Sequence, residues 1–135
     1  MRSKLSLLTV AVVLAAVATA LLPTAASATA QSCTRAGLGV VCNTTYGSRA
    51  YVDRIVAIRD KGWDIPNPSA DASVLDGHNH AHVLWFQHQS RTGSFVGRAW
   101  FNFYPRRNFL CGDVTSVRFY ENRTPQGGYA NVRLC

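Results

Sequence analysis

Apolar and polar positions alternate most clearly over residues 81–104, which read AHVLWFQH, QSRTG and SFVGRAWFNFY in succession. Two runs rich in aromatic and β-branched residues flank a short polar loop containing Gly93. This pattern predicts a β-hairpin closed by a type I turn with a left-handed glycine. In the first run, alternation puts Val83 and Trp85 on one face and Leu84 and Phe86 on the other. In the second, Phe95, Ala99, Phe101 and Phe103 share an almost wholly apolar face, which is expected in the core. The opposite face carries Val96, Arg98, Trp100, Asn102 and Tyr104, the mixture of a ligand-facing or half-exposed sheet surface.

The other elements are read in the same way. Cys33–Cys42 (CTRAGLGVVC) fits a short strand or tight hairpin, and polar Asn43–Ser48 reads as a turn. Residues 49–59 alternate imperfectly but are rich in β-branched side chains, so a strand is expected, with a short helix as its rival. Asp60–Gly77 contains Pro66, Pro68 and Gly77 and is expected to be a long irregular connection, pinned by Trp63, Ile65, Val74 and Leu75. Long structureless connections are often functional. Val114–Tyr120 is a strand with Val117 and Phe119 inward, Asn122–Gly128 a turn, and Tyr129–Leu134 a last strand with Ala130, Val132 and Leu134 alternating. The sum is an all-β chain of about six strands, a small β-sandwich or partly open barrel.

Residues 1–30 read differently. Arg2 and Lys4 precede an apolar run from Leu5 to Leu22, then Pro23 and a string of small residues. That is the pattern of a secretory signal peptide, cleaved after Ala28 or Ala30, and it leaves residues 31–135 as one domain with no membrane span. The rival, an uncleaved anchor, is marginal in length for a span. All four cysteines fall in the expected mature domain. An even count in an exported chain implies two disulfides, for which three connectivities exist. Cys33–Cys42 and Cys111–Cys135 are favoured, because Gly37 and Gly39 let the chain turn between the first pair and the second ties down residue 135.

Charge adds a partner class. The formal charge of +7 becomes +5 without Arg2 and Lys4, and Lys61 is then the only lysine among the cations. Such a field favours acidic partners: nucleic acid, a cell-wall polymer or an acidic protein face.

Three kinds of chemistry are open to these residues. His78, His80 and His82 stand at alternate positions and on a strand would point the same way, about 7 Å apart. Such a set, with His88 further along the same parity, can hold zinc or copper. Asp76-Gly77 argues instead for a loop there, and no metal or cofactor is expected. A small ribonuclease would need an acid, a base and a phosphate-binding arginine. Glu121 or Asp113 with His88 or His82, and Arg106, Arg107 or Arg118, supply those residue types without any recognisable motif. Asn43 and Asn122 begin glycosylation sequons by pattern alone. The third candidate is a binding surface around Trp100, Tyr104, Arg106 and Arg107, joined by Trp63, because aromatic residues and arginines dominate interface hot spots.

The alanine-rich leader, Cys33 and Cys42 around a glycine turn, YPRRNFLCG at Tyr104–Gly112 and Cys135 also carry a resemblance. Through them the chain resembles the small exported two-disulfide β proteins of filamentous actinobacteria. In size, export and cysteine number it is similar to the small adaptor subunit of secreted umbrella-shaped antibacterial toxin particles. That resemblance implies a non-catalytic role, joining a lectin-like subunit to a larger toxin chain, and it carries over no functional residues. The expected function is therefore a secreted, non-catalytic binding or adaptor protein recognising another exported protein or a cell-wall polymer. A small secreted ribonuclease or a metal-binding protein is the alternative, and nucleic acid is not the expected partner.

Overall fold

The structure is a computed structural model and describes residues 28–135. Nine strands follow one another: β1 (Ala28–Ala36), β2 (Gly39–Ser48), β3 (Tyr51–Pro66), β4 (Pro68–Leu75), β5 (Val83–Ser90), β6 (Ser94–Phe103), β7 (Arg107–Asn108), β8 (Val114–Glu121) and β9 (Thr124–Arg133). They form two open antiparallel sheets packed as a sandwich. The first has the order β1-β2-β3-β6, with β7 also on β3; the second has the order β5-β4-β8-β9. The expected signal segment lies outside the described residues up to position 27, and Ala28–Ala30 begin β1.

The core is built from one parity of each strand. Val41, Ile55, Ala57, Ala99, Phe101 and Phe103 point in from the first sheet; Ala70, Ala72, Val74, Val117, Phe119 and Ala130 meet them from the second. Alanines let the sheets approach, and phenylalanines fill the space between them, with the Phe101 and Phe119 rings 5.7 Å apart. The expected inward faces of β6, β8 and β9 are the observed ones. The expected disulfides form as well. Cys33 and Cys42 are direct cross-strand partners, and Cys111–Cys135 closes the loop before β8 onto the chain end.

There are nine strands rather than six, and the expected turn Asn122–Gly128 shrinks to Asn122 and Arg123, because β9 already begins at Thr124. Three further expectations are corrected. The first is the β5–β6 hairpin. Both strands exist, but β5 pairs with β4 and β6 with β3, so residues 91–93 carry the chain from one sheet to the other. Alternation assigns faces, not partners. The hydrogen bonds of this loop go to the preceding corner: Asn67 N–H donates to Gly93 O at 2.7 Å and Arg91 N–H to Pro68 O at 2.9 Å. That corner, Pro66-Asn67-Pro68, makes the same crossing with one residue between strands, Asn67 at φ 41°. Asparagine tolerates the left-handed region better than most residues.

The second correction is Asp60–Gly77, which is not irregular. β3 continues through a bulge to Pro66, and β4 alternates Ser69, Asp71 and Ser73 with buried Ala70, Ala72 and Val74. The prolines sit at strand ends, where a missing donor is tolerated. The third is Asn43–Ser48, which belongs to β2. Asn43 is fully buried and bridges the sheets, its Nδ2 donating to Thr115 O at 3.0 Å and Ala130 O at 3.2 Å. Thr45 Oγ1 donates to Asn43 Oδ1 at 2.9 Å. A polar residue reads as a turn unless the interior supplies its partners, and here it does. Burial also removes Asn43 from consideration as a glycosylation acceptor in the folded chain.

Candidate functional site

β6 is an edge strand, and its outward positions present the expected aromatic-arginine surface. Trp100 stands opposite Ile58 of β3, and Arg98 opposite Asp60, where Arg98 Nη2 and Asp60 Oδ2 are 2.6 Å apart. Trp100 and Tyr104 are each 47% exposed and Val96 78%, so this strip keeps large apolar area in water. Trp63 reaches the surface through the β3 bulge, where Lys61, Gly62 and Trp63 together face Gly97 alone. Gly97 takes up the distortion at φ 81°, a conformation open to glycine at little cost.

The bulge is anchored from inside. Lys61 Nζ lies 2.5 Å from Glu121 Oε1 and 5.7 Å from the centre of the Trp63 ring. Arg59 Nη2, also buried, is 3.8 Å from Glu121 Oε2. Beyond β6, Arg106 stacks on Tyr104 at 5.0 Å. Arg107 stacks on Phe109 at 5.0 Å and donates to Leu84 O at 2.9 Å, which ties it to β5. Four of the five expected binding residues, Trp63, Trp100, Tyr104 and Arg106, follow this edge, about 26 Å of chain from Val96 to Tyr104, whereas Arg107 lies on β7 opposite buried Val52 and turns toward β5.

The candidate acid and base groups are mostly structural. Glu121 is held by Lys61 and Arg59. Asp113 is buried and accepts from Gly77 N–H at 2.9 Å and Leu110 N–H at 2.8 Å, closing two loops. His78, His80 and His82 lie in the β4–β5 loop rather than on a strand. Asp76 organises that loop: its Oδ1 accepts from His78 N–H at 2.8 Å and Asn79 N–H at 3.3 Å. The His78 bond leads in holding this carboxyl below the usual range. His78 Nδ1 and His82 Nδ1 both approach the Asp76 carboxylate, at 3.7 and 3.5 Å, but no group of three or more side chains that could hold a metal ion forms among the described residues.

His88 is different, and its partner was hidden in the supposed loop. It faces outward on β5 directly across from Asp71 of β4, with Nδ1 and Oδ1 2.6 Å apart. Tyr120 of β8 donates its hydroxyl to the other carboxylate oxygen, Oδ2, at 2.8 Å. Arg118 Cζ sits 5.8 Å from the Tyr120 ring and 4.9 Å from that of Tyr129. Burial, followed by the Asp71 hydrogen bond and charge, pushes the Tyr120 phenol up to about 12. Because an ionised carboxylate only accepts, Nδ1 of His88 is the donor in this pair.

His88, Asp71 and Tyr120 floor an open groove of about 810 Å³, whose walls include Asn67, Arg91, Asn122 and Arg123. The signal that could have found it is the Ser69-Asp71-Ser73 alternation, which places Asp71 on the outer face beside His88.

No protein-family model matches the chain. Neither the curated proteins nor the solved structures contain a match.

Proposed function

We propose that the chain is an exported, non-catalytic binding protein that docks onto another exported protein along the outer edge of β6. The observation that carries this reading is the exposure of Trp63, Val96, Trp100 and Tyr104 along one edge of the first sheet, with Arg98 and Arg106 among them. Aromatic anchors bordered by arginine are the usual centre of a protein interface. Export is supported by the two disulfides, which persist in oxidising compartments. An adaptor of the umbrella-toxin type is the form of this reading that the sequence resemblance suggests.

The test is capture from culture supernatant with the tagged full chain, followed by titration of the purified partner. Trp100→Ala is expected to weaken binding by at least about 2 kcal/mol, roughly thirtyfold, whereas Arg106→Gln mainly steepens or flattens the salt dependence. A partner that binds Trp100→Ala and Trp63→Ala as well as the parent chain would overturn the assignment to this edge.

A further inference from the structure

The groove on the outer face of the second sheet lies on the opposite side of the sandwich from the β6 strip and has no part in the docking reading. We propose that it is a binding site for a phosphate ester of a sugar or polyol, the group that a phosphate-bearing cell-wall polymer repeats.

The argument begins with construction. The groove is formed where the ends of β4, β5 and β8 come together, and Asn67 clamps all three. Its Nδ2 donates to Asn122 Oδ1 at 2.7 Å, and its Oδ1 accepts from Gly93 N–H at 2.9 Å. Its backbone N–H reaches Gly93 O at 2.7 Å, and Asn122 N–H reaches Pro66 O at 3.1 Å. Both walls are therefore fixed to one corner before any ligand arrives, which lowers the cost of ordering them on binding.

Charge then selects the ligand. Arg91 and Arg123 line the groove against one carboxylate, Asp71. Both oxygens of that carboxylate are engaged, by His88 and Tyr120, and the two guanidinium groups outnumber it. Arg123 holds φ 66° in the β8–β9 turn, a backbone that glycine would adopt at lower cost. A guanidinium is thus kept at the rim in spite of the local conformation.

Donors complete the class. Asn122 uses its oxygen on Asn67, so its amide N–H groups remain for a ligand. Ser69, Ser90 and Thr92 add hydroxyls. Guanidinium and amide donors around an open depression match the several acceptor oxygens of a phosphate, for which arginine is the favoured partner. The volume, about 810 Å³, is more than a bare anion occupies and is in the range of sites for small organic ligands.

The experiment is an amide NMR titration of the full chain with inorganic phosphate, glycerol 3-phosphate, glucuronate and glycerol. Glycerol 3-phosphate is expected to shift the amides of residues 90–93 and 122–123 saturably, with phosphate weaker and glycerol silent. Arg123→Gln and Arg91→Gln each lower that affinity about tenfold or more, the worth of one charge-assisted hydrogen bond. Both residues are exposed and both variants keep the parent spectrum elsewhere, while Arg35→Gln on β1 leaves the titration unchanged. Four results would overturn the proposal: no saturable shift, an equal response to glucuronate, unchanged affinity in Arg123→Gln, or tighter binding of a single-stranded RNA oligonucleotide than of glycerol 3-phosphate.

Discussion

Replacing Glu121 by Gln removes one negative charge from a cluster that is almost dry. The side chains of Glu121, Arg59 and Lys61 are 7%, 3% and 10% exposed. Removing one partner of a buried ion pair costs about 3–5 kcal/mol, because the remaining charge stays desolvated. Lys61 is nearest the surface and can swing its ammonium outward, and Arg59 keeps Val40 O as an acceptor at 3.3 Å. The lower end, about 3 kcal/mol, is therefore expected, or a fall in Tm of about 12–24 °C for a domain of this size. Urea unfolding followed by circular dichroism measures it, with an unchanged m-value as the sign that only stability has moved. The double variant Lys61→Met with Glu121→Leu should lose less than the two single variants added together, because Lys61 no longer lacks a partner, while Arg59 keeps only Val40 O. Because Lys61 also positions the bulge that carries Trp63, the Gln variant should shift tryptophan emission to the red. A loss below about 1 kcal/mol, or additive losses in the double variant, would refute the claim that this cluster holds the two sheets and the bulge together.

Three further outcomes are expected. Asn43→Ala should cost about 2–4 kcal/mol in chemical unfolding, since it takes a donor from two buried carbonyls and leaves Thr45 Oγ1 with Thr115 Oγ1 alone. In spectrophotometric titration the Tyr120 phenolate should appear only near pH 12, and Asp71→Asn should bring it down. The fold favours the neutral phenol, so this stabilisation is whole below the ordinary value of 10.0 and is lost as the pH rises through about 12; the difference between the parent chain and Tyr120→Phe isolates it. Opening Cys111–Cys135, with its separation of 24 residues, should cost more than opening Cys33–Cys42, with 9, at about 3.4 against about 2.6 kcal/mol from loop entropy.

Periodicity carried the fold class because burial on one face leaves a trace wherever large apolar residues mark it. Phe95 to Phe103, Val117 with Phe119, and Ala130 to Leu134 are such stretches, and their faces were legible. β4 was not, since its inward residues include two alanines and its outward ones are serine and aspartate, the vocabulary of loops. Asn43–Thr45 failed for the opposite reason: the strand is buried, but its inward residues are polar and satisfied only by β8 and β9. Pairing was the least legible feature. β5 and β6 carry a hairpin pattern, yet the hydrogen bonds that decide their partners come from Asn67, more than twenty positions upstream of Gly93. The aromatic-arginine strip needed only alternation on one strand, so it could be named. The groove needed three strands in register, and only His88 of its floor could be singled out from sequence.

The two surfaces share a mechanical root. The bulge that presents Trp63 and the corner that clamps the groove belong to one stretch, from Lys61 to Pro68, that leaves the first sheet and enters the second. Glu121 and Asn122 are adjacent at the end of β8, and they hold that stretch at two points: Glu121 through Lys61, Asn122 through Asn67. A chain that only needed to join two sheets could do so with an ordinary turn. Here the crossing is stiffened by a buried charge on one side and an asparagine pair on the other, each directly behind exposed residues that the core does not require. The rigidity is spent at the surface, on holding Trp63 at one edge of the sandwich and the Asn122–Arg123 turn at the rim of the groove.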